Sequence, residues 1–227
     1  MKELVGIMVL CLAFWGCNSS EKTQQADSNG TDGPAQMLKD TWDAAITGDR
    51  QTVRFNVIGP DRHVDGLVAA CRASRAMGNL LLAVGQRFGL EGFVSTGLAG
   101  DMSAEEFRAY VSAMKDTDVD PHDLEVSVVQ VGENRATCLV GAAKGDVRFV
   151  HLVKDEGRWK VGVLELLSLV NPKQEENGAE LPMEQQVAVA NRIAEKIDAV
   201  TAMVDQPDMT AERVREELTR VIIETFP

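Results

Sequence analysis

Four short segments between residues 124 and 166 constrain the fold of this chain more than any other part of its sequence. Short turns that contain glycine separate them. Consecutive strands joined by short turns pair in antiparallel fashion, so these segments predict a four-stranded antiparallel meander. The predicted strands are Leu124–Val131, Arg135–Ala143, Val147–Lys154 and Arg158–Leu166.

Alternation along the predicted strands gives the sheet one apolar face and one mixed face. In the third strand, Val147, Phe149 and Val153 fall on the apolar face, and His151 alternates with them. We therefore expect His151 to point into a cavity or into the core. An apolar sheet face must be covered by a second layer, which the flanking helical segments supply. The predicted fold class is α+β, an antiparallel meander covered by helices.

The chain begins with a segment that is typical of an export signal. Lys2 precedes an apolar run from Leu4 to Trp15, which has the length of a signal-peptide core. It is shorter than the ~20 apolar residues that span a bilayer. The run ends at Gly16-Cys17, which resembles the lipobox of bacterial lipoproteins. This resemblance implies a signal peptide over residues 1–16 and a lipid on Cys17. An ordinary secretory signal and an uncleaved anchor are the alternatives.

The lipoprotein resemblance implies a location in the bacterial cell envelope. Lipid on Cys17 would hold the exported chain to a membrane, because each buried methylene contributes ~0.8 kcal/mol. Residues 17–35 are rich in Ser, Gln, Asp, Gly and Thr. Such a composition cannot bury a core and predicts a flexible tether with an average reach of roughly 25 Å. The folded part would then lie just off the membrane surface.

The formal net charge of -12 argues against nucleic acid as a partner. Lys and Arg are scattered along the sequence, and phosphate contacts need a positive face. An acidic body also does not adsorb to anionic lipid by itself, so the anchor must hold the protein at a membrane.

Cys71 and Cys138 are the two cysteines that follow Cys17. Export into an oxidising compartment would allow a disulfide between them, worth roughly 4 kcal/mol by the chain-entropy argument. The alternative is two buried free thiols that act as small apolar side chains. We favour the thiols, because two cysteines do not make a disulfide framework.

Apolar residues at helical spacing predict the helices around the sheet. Glycines from Gly89 to Gly100 predict a loop after the longest of them, with a short strand at Phe93–Ser95. Ser103 and Glu106 form a capping box that begins another helix, and residues 171–180 read as a polar linker. A hairpin of two helices over residues 181–227 either covers the core or meets a partner. The other predicted helices span residues 35–47, 49–58 and 61–88.

No sequence motif assigns a metal or a cofactor to this chain. An aspartate-rich segment, Asp116–Asp123, resembles the start of a calcium-binding loop, but Pro121 and Ser127 stand where that loop requires Gly and Glu. The glycines of residues 85–100 lack the Gly-Lys-Ser/Thr ending of a phosphate-binding loop. We predict no cofactor.

His151 is the one candidate for a catalytic side chain. The three histidines, His63, His122 and His151, lie far apart in the sequence and not at metal-ligand spacing. A catalytic role for His151 would need a carboxylate partner, for which Asp43 and Asp101 are candidates. The alternative is a neutral histidine hydrogen-bonded within the core.

Two segments carry a resemblance to a known family. The first helix ends in the sequence TGDRQTV (Thr47–Val53), and the last predicted hairpin reads DEGRWKV (Asp155–Val161). These segments resemble the NTF2-like superfamily of cone-shaped α+β domains, particularly its exported lipoproteins. The resemblance covers about residues 36–167 and implies helices lying across a curved sheet, in a domain of residues 36–170. The long helix from Asp61 and the C-terminal helices depart from that pattern, and no catalytic residue of the family maps onto this chain.

Three hypotheses for function follow. The first is a membrane-anchored envelope protein whose non-enzymatic α+β domain binds a small apolar ligand or an envelope protein. The second is an isomerase or dehydratase of the NTF2-like type, which uses His151 and a carboxylate as an acid–base pair. The third is a structural or assembly role through the C-terminal helices, for which an exposed stripe of Ile193, Ile197 and Val200 would be evidence.

Overall fold

The computed structural model describes four continuous parts of the chain and two single residues between the first and the second of them. The predicted signal peptide, Cys17, the tether before residue 33, the contact of Ser103 with Glu106 and the linker 171–180 lie outside the described residues. So does the whole aspartate-rich segment, Asp116–Asp123. The described residues are 33–98, 103, 105, 124–141, 147–170 and 182–225.

The described part of the chain is α+β, with six helices and one sheet of five strands. The helices are α1 (Pro34–Thr47), α2 (Arg50–Asn56), α3 (Asp61–Ser95), α4 (Val163–Val170), α5 (Met183–Val204) and α6 (Ala211–Thr225). The strands are β1 (Val57–Ile58), β2 (Glu125–Val131), β3 (Arg135–Gly141), β4 (Val147–Asp155) and β5 (Arg158–Gly162).

The sheet is mixed, which corrects the predicted four-stranded antiparallel meander. Its strand order is β1-β5-β4-β3-β2, and β2 to β5 pair with their neighbours in antiparallel fashion. The additional strand, β1, pairs in parallel with β5, with Val57 opposite Val161. We predicted helix up to Ile58, but α2 ends at Asn56 and the next two residues extend the sheet.

The last strand is shorter than predicted, because the chain turns into helix α4 after Gly162. Val163, Leu166, Leu167 and Val170 are all buried, and their spacing is that of one helical face. A short apolar run does not distinguish strand from helix by its pattern alone. Beyond the end of β5, helix α4 lies beside the first residues of β4. Arg148 Nη1 donates to the Ser168 carbonyl at 2.9 Å there.

Helix α3 is longer than predicted. Gly89 interrupts it with φ 64°, as the sequence indicates, but the helix then resumes as far as Ser95. The predicted loop with a strand at Phe93–Ser95 is therefore wrong. Phe93 is fully buried and holds this last part of α3 against the core. By length and composition α3 could cross a membrane, yet more than half of its most apolar part is buried within the protein.

Two clusters of buried side chains form the core, and α3 contributes to both. The first cluster joins α1, the start of α3 and α4 to the inner face of the sheet. The second joins the remainder of α3 to α5 and α6. Contacts between α3 and α5 pair Gly66 with Met183 and Arg72 with Asn191. Both residue numbers rise together, so these two helices run in the same direction.

Candidate functional site: the open face of the sheet

Strand β4 presents to the core the face opposite to the one we predicted. Val150 and Leu152 are buried, whereas Phe149 is 61% exposed. The register places Val150 opposite Cys138, which is also buried. Strand β4 carries apolar residues on both faces, so its own alternation could not identify the inner one. Its pairing with β3, whose inner residues are small and apolar, decides the orientation.

The outer surface of β3, β4 and β5, which we call the open face, is the candidate site. Its apolar end is formed by Phe149 with Val147 and the half-buried Leu139. Val147 is 53% exposed, whereas Val153 lies beyond His151 on β4, between Arg135 and Lys160. A contiguous exposed apolar surface on a sheet is typical of an interaction site. The open face consists of Arg135, Thr137, Leu139, Val147, Phe149, His151, Val153, Asp155, Arg158 and Lys160.

His151 lies in the middle of the open face and not in a cavity, so that part of the prediction is wrong. Its Nδ1 lies 3.3 Å from Thr137 Oγ1 on the neighbouring strand. Its backbone N–H donates to Glu165 Oε2 at 2.7 Å, where the strand partner beyond Gly162 is missing. The nearby carboxylate thus completes the backbone hydrogen bonding of β4. Of the two sequence candidates for a carboxylate partner, Asp43 lies on α1, and Asp101 is outside the described residues.

A cationic depression adjoins the open face beside β5. It has a volume of about 450 Å³ and is open to solvent. Helix α2 contributes most of it, and Val57 of β1 and Lys160 of β5 contribute the rest. The lining residues are Arg50, Gln51, Arg54, Phe55, Val57 and Lys160.

Local structure explains why these cations meet. Asp49 caps α2 by accepting from the Thr52 amide at 3.2 Å, and hydrogen bonds from Thr52 hold the pKa of Asp49 below its usual value. Residues four apart share a helical face, so Arg50 and Arg54 lie side by side. Residues two apart share a strand face, so Arg158 and Lys160 do the same. The parallel pairing of β1 with β5 then brings the two pairs together.

Carboxylates neutralise three of these four cations. Arg54 Nε lies 2.6 Å from Asp61 Oδ1, and Lys160 Nζ lies 2.7 Å from Asp155 Oδ2. Arg50 binds Asp65, and that hydrogen bond raises the pKa of the guanidinium above its usual value.

Arg158 is the exception. Its guanidinium carbon lies 4.6 Å from the centre of the Phe55 ring, and it forms no ion pair with a carboxylate among the described residues. Asp155 stands opposite Arg158 in the strand register, but its carboxylate pairs with Lys160. Cation–π stacking holds a guanidinium in place while leaving its edge N–H groups free to donate. Arg158 is therefore a positioned, unneutralised donor at the border between the depression and the open face.

Cys71 and Cys138 are buried free thiols, which agrees with the interpretation that we favoured. Both belong to the first core cluster. Burial raises the pKa of Cys71 to about 12 and that of Cys138 to about 11. The thiolate is the reactive form of cysteine, so neither side chain is suited to nucleophilic or redox chemistry at neutral pH.

We expect both thiols to resist alkylation in the native protein and to react fully once it is unfolded. A short pulse of iodoacetamide at pH 8, followed by peptide mass spectrometry, would report Cys71 and Cys138 separately from Cys11 and Cys17. In urea, both thiols should be alkylated to the same extent with and without a reductant, because no disulfide joins Cys71 to Cys138. A peptide pair linked through Cys71 and Cys138 would contradict this prediction.

The C-terminal helices bury the stripe that would have served assembly. Ile197 and Val200 are fully buried in the second core cluster, and Ile193 packs against it. The N-terminus of α6 is capped as the sequence indicates, since the Arg213 amide donates to Thr210 Oγ1 at 3.3 Å. Among the residues that the structure describes, no three His, Cys, Asp or Glu side chains are grouped so that they could hold a metal ion.

Fold and site together define an α+β protein in which helices cover the inner face of a mixed sheet and the outer face is exposed at the described residues. Comparison of this chain with protein-family models, with curated proteins and with solved structures finds no match.

Proposed function

We propose that this chain is an exported lipoprotein of the bacterial cell envelope, held to a membrane by lipid on Cys17, and that its folded part binds another protein through the open face. The observation that carries the binding proposal is the exposure of Phe149 and Val147 on a sheet whose opposite face packs against helices. The Gly16-Cys17 lipobox resemblance carries the location.

The shape of the open face favours a protein over a small apolar ligand. Small-molecule sites are concave and bury most of the ligand surface. The apolar end of the open face lies on a sheet surface, and Phe149 stands out from it. Large aromatic side chains exposed in this way are typical anchors of protein–protein interfaces.

The geometry around His151 counts against the enzymatic hypothesis. An acid–base pair needs its imidazole within hydrogen-bond reach of a carboxylate, in a site that excludes water. Here the imidazole meets a threonine hydroxyl on an exposed surface, and the Glu165 carboxylate accepts from the backbone instead. Burial of Ile197 and Val200 likewise counts against an assembly role for the C-terminal helices.

The location is tested by Cys17→Ser, with Cys11→Ser as the matched control. We expect labelled palmitate to be incorporated by the wild type and by Cys11→Ser but not by Cys17→Ser. Cys17→Ser should also leave the membrane fraction. Lipid attachment elsewhere, or a wild-type chain that carries no lipid, would refute the anchor.

The binding face is tested by a photo-crosslinking amino acid placed at position 149 in living cells. The matched control is position 223 on α6, where Ile223 is 64% exposed. We expect a discrete heavier adduct with a different protein from position 149 and none from position 223. Three results would refute the proposal: no adduct, an adduct of twice the chain mass, or a crosslink within the chain.

A further inference from the structure

The open face is divided into an apolar end and a cationic end. Phe149 and Val147 form the first. Lys160 stands opposite Val153, and Val153 stands opposite Arg135, so one row across three strands carries two cations. Four residues of strand separate Phe149 from Val153, a distance of about 13 Å. Contacts at both ends are thus within reach of a single helix or strand of a partner.

Two arginines at the cationic end have free donors. Arg158 is held on the Phe55 ring, and Arg135 is exposed. Neither forms an ion pair with a carboxylate in the described part of the chain. A guanidinium presents its N–H groups as a fork that fits a carboxylate in two parallel hydrogen bonds. Each of these two guanidinium groups can therefore bind one carboxylate of a partner.

We propose that the partner presents an acidic amphipathic segment to the open face, with apolar side chains on Phe149 and Leu139 and carboxylates on Arg158 and Arg135. This inference rests on the proposed function and names the chemistry of its partner. The segment matches the face in both respects: its apolar side chains cover the apolar end, and its carboxylates pair with the free cations. Such pairing adds specificity and orientation to the apolar contact.

The charges around the depression favour a protein segment over a membrane surface. Asp61, Asp65 and Asp155 neutralise Arg54, Arg50 and Lys160 at close range, and the whole chain carries a net charge of -12. The long-range field that draws a protein to anionic lipid is therefore weak here. The Arg158 guanidinium can still donate short-range hydrogen bonds, and these require a partner whose acceptor groups contact the open face directly.

The test uses two fluorescent helical peptides and the purified full chain carrying Cys17→Ser. Both peptides repeat leucine along one side; one ends in four glutamates and the other in four lysines. We expect the glutamate peptide to bind about tenfold more tightly by fluorescence anisotropy, and the difference to shrink in high salt. Arg158→Glu should remove that preference, whereas Arg215→Glu, the same charge change on exposed α6, should leave it unchanged.

Arg158→Lys separates charge from geometry. It keeps the positive charge but loses the fork and the stacking on Phe55, so we expect an intermediate loss of affinity. Equal binding of the two peptides, or an unchanged preference in Arg158→Glu, would overturn the inference. Stronger binding to vesicles containing phosphatidylglycerol than to the glutamate peptide would also overturn it, in favour of a membrane surface.

The two proposals fail separately. The peptide measurements decide the chemistry of the partner and need no knowledge of its identity. The adduct from position 149 decides whether the open face is used in the cell. An adduct that persists in Arg158→Glu would keep the proposed function and overturn the acidic segment. Loss of the adduct in Arg158→Glu but not in Arg215→Glu supports both.

Discussion

Phe93→Ala lowers the free energy of unfolding by about 4 kcal/mol, the usual cost of removing a buried phenylalanine. The Phe93 ring is fully buried in the second core cluster, so alanine leaves a cavity that the surrounding helices can only partly close. Urea unfolding followed by circular dichroism measures the change. The expected signature is a lower midpoint with an unchanged slope.

Val94→Ala is the matched control, because Val94 is the next residue of the same helix and is 56% exposed. It should change the stability by less than about 0.5 kcal/mol. If both variants are equally stable, the resumption of α3 after Gly89 is wrong and the loop indicated by the glycines is right.

Gly59→Ala lowers the free energy of unfolding by about 3 kcal/mol, because two costs add at this position. The backbone of Gly59 has φ 152°, which an L side chain rarely adopts, and an added Cβ would lie 2.4 Å from Val163 Cγ1. Val163 is buried at the point where β5 passes into α4. The added methyl must therefore displace the start of that helix or the end of β1.

Gly157→Ala separates the two costs. Gly157 also has a positive φ, 81°, but an added Cβ would meet nothing within 4 Å. This variant should lose about 1 kcal/mol, from backbone strain alone. The double variant Gly59→Ala with Val163→Ala should lose less than the sum of its parts, because the clash is gone. Strict additivity would contradict the contact between Gly59 and Val163.

Local signals in the sequence predict much of the fold. The class α+β is confirmed, and the bounds of β2 and β4 agree with the prediction to within one residue. Pro182 and Thr210 precede α5 and α6 as predicted. These features depend on turns, caps and periodicity, which act over a few residues and are visible in a single sequence.

Features set by distant parts of the chain could not be predicted in the same way. Strand β1 has only two residues, and it forms because Val57 pairs with Val161, which lies about a hundred positions later in the chain. The inner face of β4 is chosen by Cys138 and its neighbours on β3. Phe93 lies among glycines, and tertiary packing overrides the local preference for a loop.

The candidate site was the least predictable part. His151 could be singled out by residue type, but its exposure depends on the orientation of the whole strand. Arg50 with Arg54, and Arg158 with Lys160, each have the spacing that puts two cations on one face of a helix or strand. The sequence contains that signal, yet nothing local shows that α2 and β5 meet. The cationic end of the open face could therefore not be predicted from basic residues that are scattered along an acidic sequence.

The sharing of α3 between two cores has a consequence for synthesis. A nascent chain released after residue 170 would already contain every described strand, but Leu80, Leu81 and Val84 would lack the α5 and α6 side chains that cover them. We expect such a product to bind chaperones and to be degraded by proteases. A premature stop codon in the last quarter of the gene should thus act as a null allele, even though it spares the entire sheet.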